Sequence, residues 1–267
     1  MQRAALIASV AALGACSLVV ELDGLSSPDA SRDGASEASI DVAADSLAEA
    51  STEAGPRFCT GKHLLCEDFD DDSGSWSDAV QPTANNVTLT VVTNESTSKP
   101  ASLRIVPLGA NASGGLVGVF PAPPPTDFTC AVSLRIEGFP PGAIMQAAQL
   151  AVSTSDPNVI IYDVFFQADT QNAQLYEYEN LTDGGGVNSQ KSLPFSILDG
   201  AWHRLTLTMH VASSPSAVMD LGDNNGTTKT LSPPSPITGF RYNIGIGFTN
   251  AATGWTAYFD DAVCDAL

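Results

Sequence analysis

Beyond Phe58 the chain alternates short apolar runs with clusters of Gly, Pro, Asn, Asp and Ser. Within the runs the apolar residues fall on every second position. Phe128, Cys130, Val132, Leu134 and Ile136 form one such set, Leu205, Leu207, Met209 and Val211 another, and Ile244, Ile246 and Phe248 a third. A strand sends successive side chains to opposite faces, so this period puts each set on one buried face of a sheet. The pattern predicts strands at 64–70, 88–92, 102–106, 115–120, 128–137, 146–153, 159–167, 174–180, 202–211, 217–221, 242–249 and 255–264. No stretch sustains a helical period. Many short strands separated by turn signals predict an all-β fold, a sandwich or jelly roll of two antiparallel sheets in one domain over residues 58–267.

The first 57 residues have a different texture. After Met-Gln-Arg the chain carries no charge from Ala4 to Ala15, then reaches Leu13-Gly14-Ala15-Cys16. One positive residue, a short apolar run and small residues before a cut are the parts of a secretory signal. The run is about 12 residues, too short for the 18 or more of a membrane-crossing helix. Its last four residues resemble the lipobox of bacterial lipoproteins, which implies cleavage before Cys16 and a diacylglyceryl group on its thiol. Ser17 follows, and by the sorting habit of such lipoproteins this implies an outer-membrane lipoprotein. Residues 26–56 are mostly Ala, Ser, Asp and Glu, with acids at Asp29, Asp33, Glu37, Asp41, Asp45, Glu49 and Glu53. On a helix that spacing would stack like charges on one face. With little to bury, the segment reads as a solvated tether, residues 16–57, between anchor and domain.

The formal net charge of −19 argues against nucleic acid or an anionic membrane surface as a partner. Of five cysteines, setting Cys16 aside leaves Cys59, Cys66, Cys130 and Cys264, an even number in an exported chain. Two disulfides are expected, with Cys59–Cys66 and Cys130–Cys264 favoured and a Cys66–Cys264 bridge left open.

Three segments then carry a resemblance. Leu65-Cys66-Glu67-Asp68-Phe69-Asp70 is similar to a first-strand acidic motif. Asp199-Gly200-Ala201-Trp202-His203-Arg204-Leu205 is similar to an internal strand motif, and Tyr258-Phe259-Asp260-Asp261-Ala262-Val263 to a closing-strand motif. Together and in this order they resemble the laminin-G-like branch of the concanavalin A-like lectin/glucanase superfamily. The resemblance implies a concanavalin A-like jelly roll and leaves function open, since its members include lectins, adhesion modules, glycosidases and lyases.

The chemistry readable from the residues is sparse. Retaining glycosidases need two carboxylates about 5–5.5 Å apart, and no Glu-x-Asp-x-Glu string occurs. Glu177 and Glu179 share a strand face and read as solvated, with Tyr176 and Tyr178 opposite. Gly-x-Ser-x-Gly and paired histidines at zinc-protease spacing are absent. His203 reads as structural, and His63 and His210 show no evident partner. If first and last strands pair, as the resemblance implies, Asp68, Asp70, Asp71 and Asp72 meet Asp260 and Asp261. A Ca²⁺ held by Asp70, Asp260 and Asp261 would relieve their repulsion, and solvated strand ends bonded to turn amides are the other reading. Trp76, Tyr176, Tyr178 and Trp255 are the candidate stacking platforms for sugar rings, while Trp202 reads as core. The expectation is a non-catalytic envelope module that binds a glycan or another surface protein. A polysaccharide-active enzyme and a purely structural protein are its rivals.

Overall fold

The computed structural model describes residues 58–70, 80–169, 172–212, 214–221 and 226–267. Cys16, the acidic segment 26–56, Asp71, Asp72 and Trp76 lie outside them. The described residues form fifteen strands and no helix, arranged as two antiparallel sheets. The eight-stranded sheet has the order β13 (Thr227–Thr230), β12 (Ser216–Asp220), β11 (His203–His210), β6 (Asp127–Glu137), β15 (Thr256–Ala266), β4 (Ser102–Pro107), β3 (Val87–Val92), with β1 (Leu65–Glu67) also on β15. The seven-stranded sheet runs β10 (Asn188–Ser192), β9 (Ala173–Leu181), β8 (Val159–Ala168), β7 (Met145–Thr154), β14 (Ile237–Thr249), β5 (Ala112–Val119), β2 (Val80–Asn85). The two sheets pack face to face as a jelly-roll β-sandwich, the all-β fold expected from the sequence.

The core lies between the sheets and is built by the alternation read from the sequence. Phe128, Val132, Leu134 and Ile136 of β6 and Leu205, Leu207 and Met209 of β11 point inward and are buried. They meet Tyr162, Val164 and Phe166 of β8 and Phe240, Tyr242, Ile244 and Ile246 of β14 from the other sheet, all equally buried. Each such side chain contributes about 1.5–3 kcal/mol of burial. One end is filled by Phe120, Phe128 and Phe240, whose ring centroids lie 4.9–5.9 Å apart.

The apolar period missed three strands, β2 (Val-Gln-Pro-Thr-Ala-Asn), β10 (Asn-Ser-Gln-Lys-Ser) and β13 (Thr-Thr-Lys-Thr). All three are sheet edges. An edge strand has one neighbour and much solvent, so polar residues and a proline are tolerated where a central strand would exclude them.

β15 organises the eight-stranded sheet. Ala257–Phe259 pair with β4, while Cys264, Val263 and Ala262 pair with Leu65, Cys66 and Glu67 of β1. First and last strands are therefore neighbours. Between the two halves a bulge at Asp260–Val263 puts Asp261 at φ 48°, and turns Asp260 and Asp261 together toward the loop that holds Thr97 and Ser98.

Both disulfides join the pairs favoured from the sequence, Cys59–Cys66 and Cys130–Cys264. Cys130 and Cys264 sit directly opposite each other on β6 and β15 and face the core. They close a loop with a sequence separation of 134, against 7 for Cys59–Cys66. Chain entropy then predicts about 5 kcal/mol for the long loop and about 2–3 kcal/mol for the short one. In urea titrations the double variant Cys130→Ala/Cys264→Ala should lose clearly more stability than Cys59→Ala/Cys66→Ala; equal losses would contradict this account.

Candidate functional site

On β8 the inward residues alternate with Asp163, Phe165 and Gln167, which therefore face out. On β9 the same alternation turns Tyr176 and Tyr178 outward, and the register sets Asp163 opposite Tyr178 and Phe165 opposite Tyr176. Asn188 of β10 stands opposite Tyr178 on the far side. With Gln146 of β7 these residues line a depression of about 280 Å³ on the outer face of the seven-stranded sheet.

Its aromatic floor is fixed in place. The rings of Phe165 and Tyr176 stack with centroids 5.1 Å apart and planes 11° from parallel. Phe165 is buried, yet it lies outside the core cluster, covered instead by its outer-face neighbours. The Tyr176 hydroxyl donates to Asn188 Oδ1 at 2.5 Å, and Gln146 Nε2 donates to Gln167 Oε1 at 3.2 Å. Asp163 is 9% exposed, and Gln149 Nε2 donates to its Oδ2 at 2.7 Å. Burial pushes the Asp163 carboxyl up to about 6, against the pull of that one hydrogen bond.

Behind this surface lies a charge the sequence reading misplaced. Glu177 is not on a solvated face: it is 2% exposed and points between the sheets. Lys229 of β13 donates to its Oε2 at 2.5 Å, Tyr162 to Oε1 at 2.5 Å, Ser189 to Oε2 at 3.0 Å and the Ser232 amide to Oε1 at 2.6 Å. Burial works to raise the Glu177 pKa, and Lys229, Tyr162 and Ser232 together overcome it, so the group stays lowered and charged. Burial and Glu177 raise the Tyr162 pKa, which keeps that phenol a donor. The pair ties β9, next to the edge of one sheet, to the edge strand β13 of the other.

Several expected site residues are placed elsewhere. Trp255 is no platform: it is 2% exposed and meets Phe139 edge-on, with centroids 4.9 Å apart. Its position after a loop suggested exposure, but the strand that follows carries it into the core. Trp202 is only half-buried, tilted over Tyr258 at 6.3 Å. Above Tyr258 the Arg135 guanidinium sits 5.5 Å from the ring and pairs with Glu95 and Glu137, so that aromatic patch is covered. His63 and His210 do have partners, Asp265 at 2.7 Å and Asp127 at 2.8 Å. His203 bonds Asp199 at 2.7 Å in the turn before β11.

The acidic residues expected to hold Ca²⁺ have hydrogen-bond donors. Asp260 Oδ2 accepts from the Thr97 amide at 2.7 Å, the Thr97 hydroxyl at 2.8 Å and the Ser98 amide at 3.1 Å. Asp261 accepts from the Ser98 hydroxyl at 2.6 Å, and Asp70 from the Ala101 amide at 3.2 Å. Among the described residues no three acidic, His or Cys side chains converge where a metal ion could sit. These are turn donors of the kind the second reading expected at Asp70, Asp260 and Asp261. Asp260 is fully buried, and burial followed by the charge of Asp261 pushes its carboxyl up to about 6.

A larger hollow of about 390 Å³ lies at the end of the sandwich, bordered by Pro124, Pro125, Pro215, Pro233, Pro234 and Pro236. It contains no charged or aromatic side chain except Phe240, which belongs to the core. The smaller depression is the one with recognition chemistry. The sequence had flagged its two tyrosines. Asp163, Phe165, Gln146, Gln167 and Asn188 were missed, although the predicted strand 159–167 would have set Asp163, Phe165 and Gln167 on one face.

No model of a known protein family and no curated protein matches the chain. Among solved structures it is similar to a conserved carbohydrate esterase from Shiga toxin-encoding bacteriophage phi24B, at 15% identity and TM-score 0.53, over 76% of this chain and 97% of that one. It is also similar to the CBM2 module of the evolved Dit protein of Lactobacillus casei BL23 phage J-1, at 12% identity and TM-score 0.46, over 76% and 94% of the two chains. Alginate lyase vAL-1 from Chlorella virus is similar at 12% identity and TM-score 0.44, over 69% and 92%. The first likeness is one of fold.

Asp163 and Asp260 set a pH dependence. Both rise from 3.8 to about 6 on folding. A raised folded pKa contributes stability that is complete below the unfolded value and lost as pH climbs through the folded one. From these two groups, stability should fall between about pH 4 and pH 6. Asp163→Asn should be more stable than the parent at pH 7 and show a shallower decline in urea midpoint over that window. An identical decline in parent and variant would show that Asp163 ionises normally.

Proposed function

We propose that the sandwich is a carbohydrate-binding module and that the depression around Tyr176 and Tyr178 is its binding surface. The observation that carries this reading is the composition of the hollow: fixed aromatic rings beside amides and one carboxylate, on an open sheet face. Sugar rings offer apolar C–H faces and a fringe of hydroxyls, and such a surface meets both needs. The lining has one carboxylate and neither a second one nor a nucleophile beside a histidine. That supports binding over hydrolysis, although the fold is shared with a carbohydrate esterase.

The module is displayed, on this reading, at the cell envelope. Support comes from Leu13-Gly14-Ala15-Cys16 and the acidic run that follows. The lipid on Cys16 anchors the chain to the outer membrane and residues 16–57 give the domain reach.

Two experiments test this. On a glycan array the full chain should bind at least one polysaccharide, and Tyr176→Ala should weaken that binding by about tenfold or more with the fold intact. Trp202→Ala, just before β11 of the other sheet, should leave it unchanged. No binding to any glycan or envelope polymer rejects the module reading. For the anchor, Cys16→Ser should accumulate as uncut precursor or appear as soluble protein. Processed variant found wholly with membranes would reject lipidation.

A further inference from the structure

The charge balance of the depression goes one step beyond glycan binding and rests on that reading. Of the residues that line it, Asp163 alone is charged; Gln146, Gln167, Tyr176, Tyr178 and Asn188 are neutral polar groups and Phe165 is apolar. Other buried acids of the sandwich are well served. Glu177 has a lysine and three further donors, and Asp260 has three donors from Thr97 and Ser98. Asp163 has Gln149 on Oδ2, and among the described residues nothing donates to Oδ1. No lysine, arginine or histidine pairs with it there. Oδ1 is not among the polar atoms sealed from solvent without a partner, so it is open to an incoming group, and a cation that joins it offsets the cost of burying the charge.

We infer that the unit seated against Asp163 carries a protonated amine, so that the ligand class is an amino-sugar polymer with free amines. An ammonium brings one positive charge and three donors and has no acceptor to satisfy. It matches Asp163 Oδ1 and the side-chain oxygens of Gln146, Gln167 and Asn188, groups that are acceptors or can turn one toward it. The faces of Tyr176 and Tyr178 attract a cation as well as stacking with the ring that bears it. A neutral hydroxyl would fill a hydrogen bond and leave the charge uncompensated. A uronate would bring a second carboxylate against the first. At longer range the net charge of −19 over the whole chain draws a polycation toward it.

Nearby charges do not change this balance. Arg241 of β14 lies in the same cross-strand row, with Ala151 between it and Asp163. Two strand spacings set their backbones about 10 Å apart, and Arg241 is exposed and does not figure among the groups that shift the Asp163 carboxyl. Glu179 and Lys191 alternate to the opposite side of β9 and β10 from Tyr178 and Gln190.

The test is calorimetric titration of the full chain in 0.15 M salt with four hexamers: β-1,4-glucosamine, its fully N-acetylated form, β-1,4-glucose and α-1,4-galacturonate. The glucosamine hexamer should bind about tenfold or more tighter than the N-acetylated and glucose hexamers, and the galacturonate should not bind. Asp163→Asn should remove that preference and Tyr176→Ala should weaken all binding. Because Asp163→Asn changes only one of many negative charges, attraction of a polycation to the whole chain would leave its affinity for the glucosamine hexamer unchanged. That result overturns the proposal, as does equal or tighter binding of the acetylated, neutral or acidic hexamer; in those cases the glycan-binding reading stands. Failure of all four hexamers together with a blank glycan array overturns both.

Discussion

Everything on the outer face of the seven-stranded sheet is held in place by the burial of its inner face. Tyr162, Val164 and Phe166 leave water only if β8 keeps its register, and a slip of one residue would drive Asp163 and Gln167 into the core. Such a slip exchanges several large apolar side chains for charged and amide groups, a loss no surface contact could offset. The positions of Asp163, Phe165 and Gln167 thus follow from residues that never touch a ligand. On β9 the constraint has a polar member. Glu177 occupies an inward position where an apolar residue would be ordinary, and it is tolerated because Lys229, Tyr162, Ser189 and Ser232 satisfy it. Removing Lys229 would leave a buried carboxylate without its counter-charge behind Tyr176 and Tyr178.

The site itself shows a division of labour. Tyr176 is held from two sides, by the stacked ring of Phe165 and by Asn188, so little rotamer freedom is left for a ligand to remove. Asp163 is the opposite case, a group whose surroundings make the native state worse off near neutral pH. Proteins carry such local costs chiefly where a function needs them. A rigid aromatic floor beside an under-satisfied acceptor is a surface ready for a ligand that supplies donors.

Much of this was legible in the residues, for a physical reason that also marks its limit. Central strands of a sandwich must alternate, so Phe128–Ile136, Leu205–Val211 and Ile244–Phe248 announce themselves. The edge strands β2, β10 and β13 are largely released from that demand, and their polar sequences read as loops. β10 contributes Asn188, so part of the site was hidden with it. The pairing of Cys130 with Cys264 was readable from parity and from the short spacing of Cys59 and Cys66, which leaves the other two to each other; the nearness of first and last strands had kept Cys66–Cys264 open. Trp255 and Glu177 were misread because exposure was assigned from residue type and local position, whereas a neighbouring sheet decides both. The hydrogen bonds from Thr97 and Ser98 to Asp260 and Asp261 span more than 160 residues, and no local pattern encodes them.

The pairing of β1 with β15 also decides how the domain bears load. A pull on the chain before Phe58 enters the sandwich through Cys59–Cys66 and the three residue pairs from Leu65–Cys264 to Glu67–Ala262. It passes at once to β15, which is bonded covalently to β6 at the centre of the eight-stranded sheet. On the proposed function, a ligand held on the other sheet would resist from the far side of the core. Tension between the two is therefore spread across the whole packed interior, and the terminal strand is not left to peel away alone.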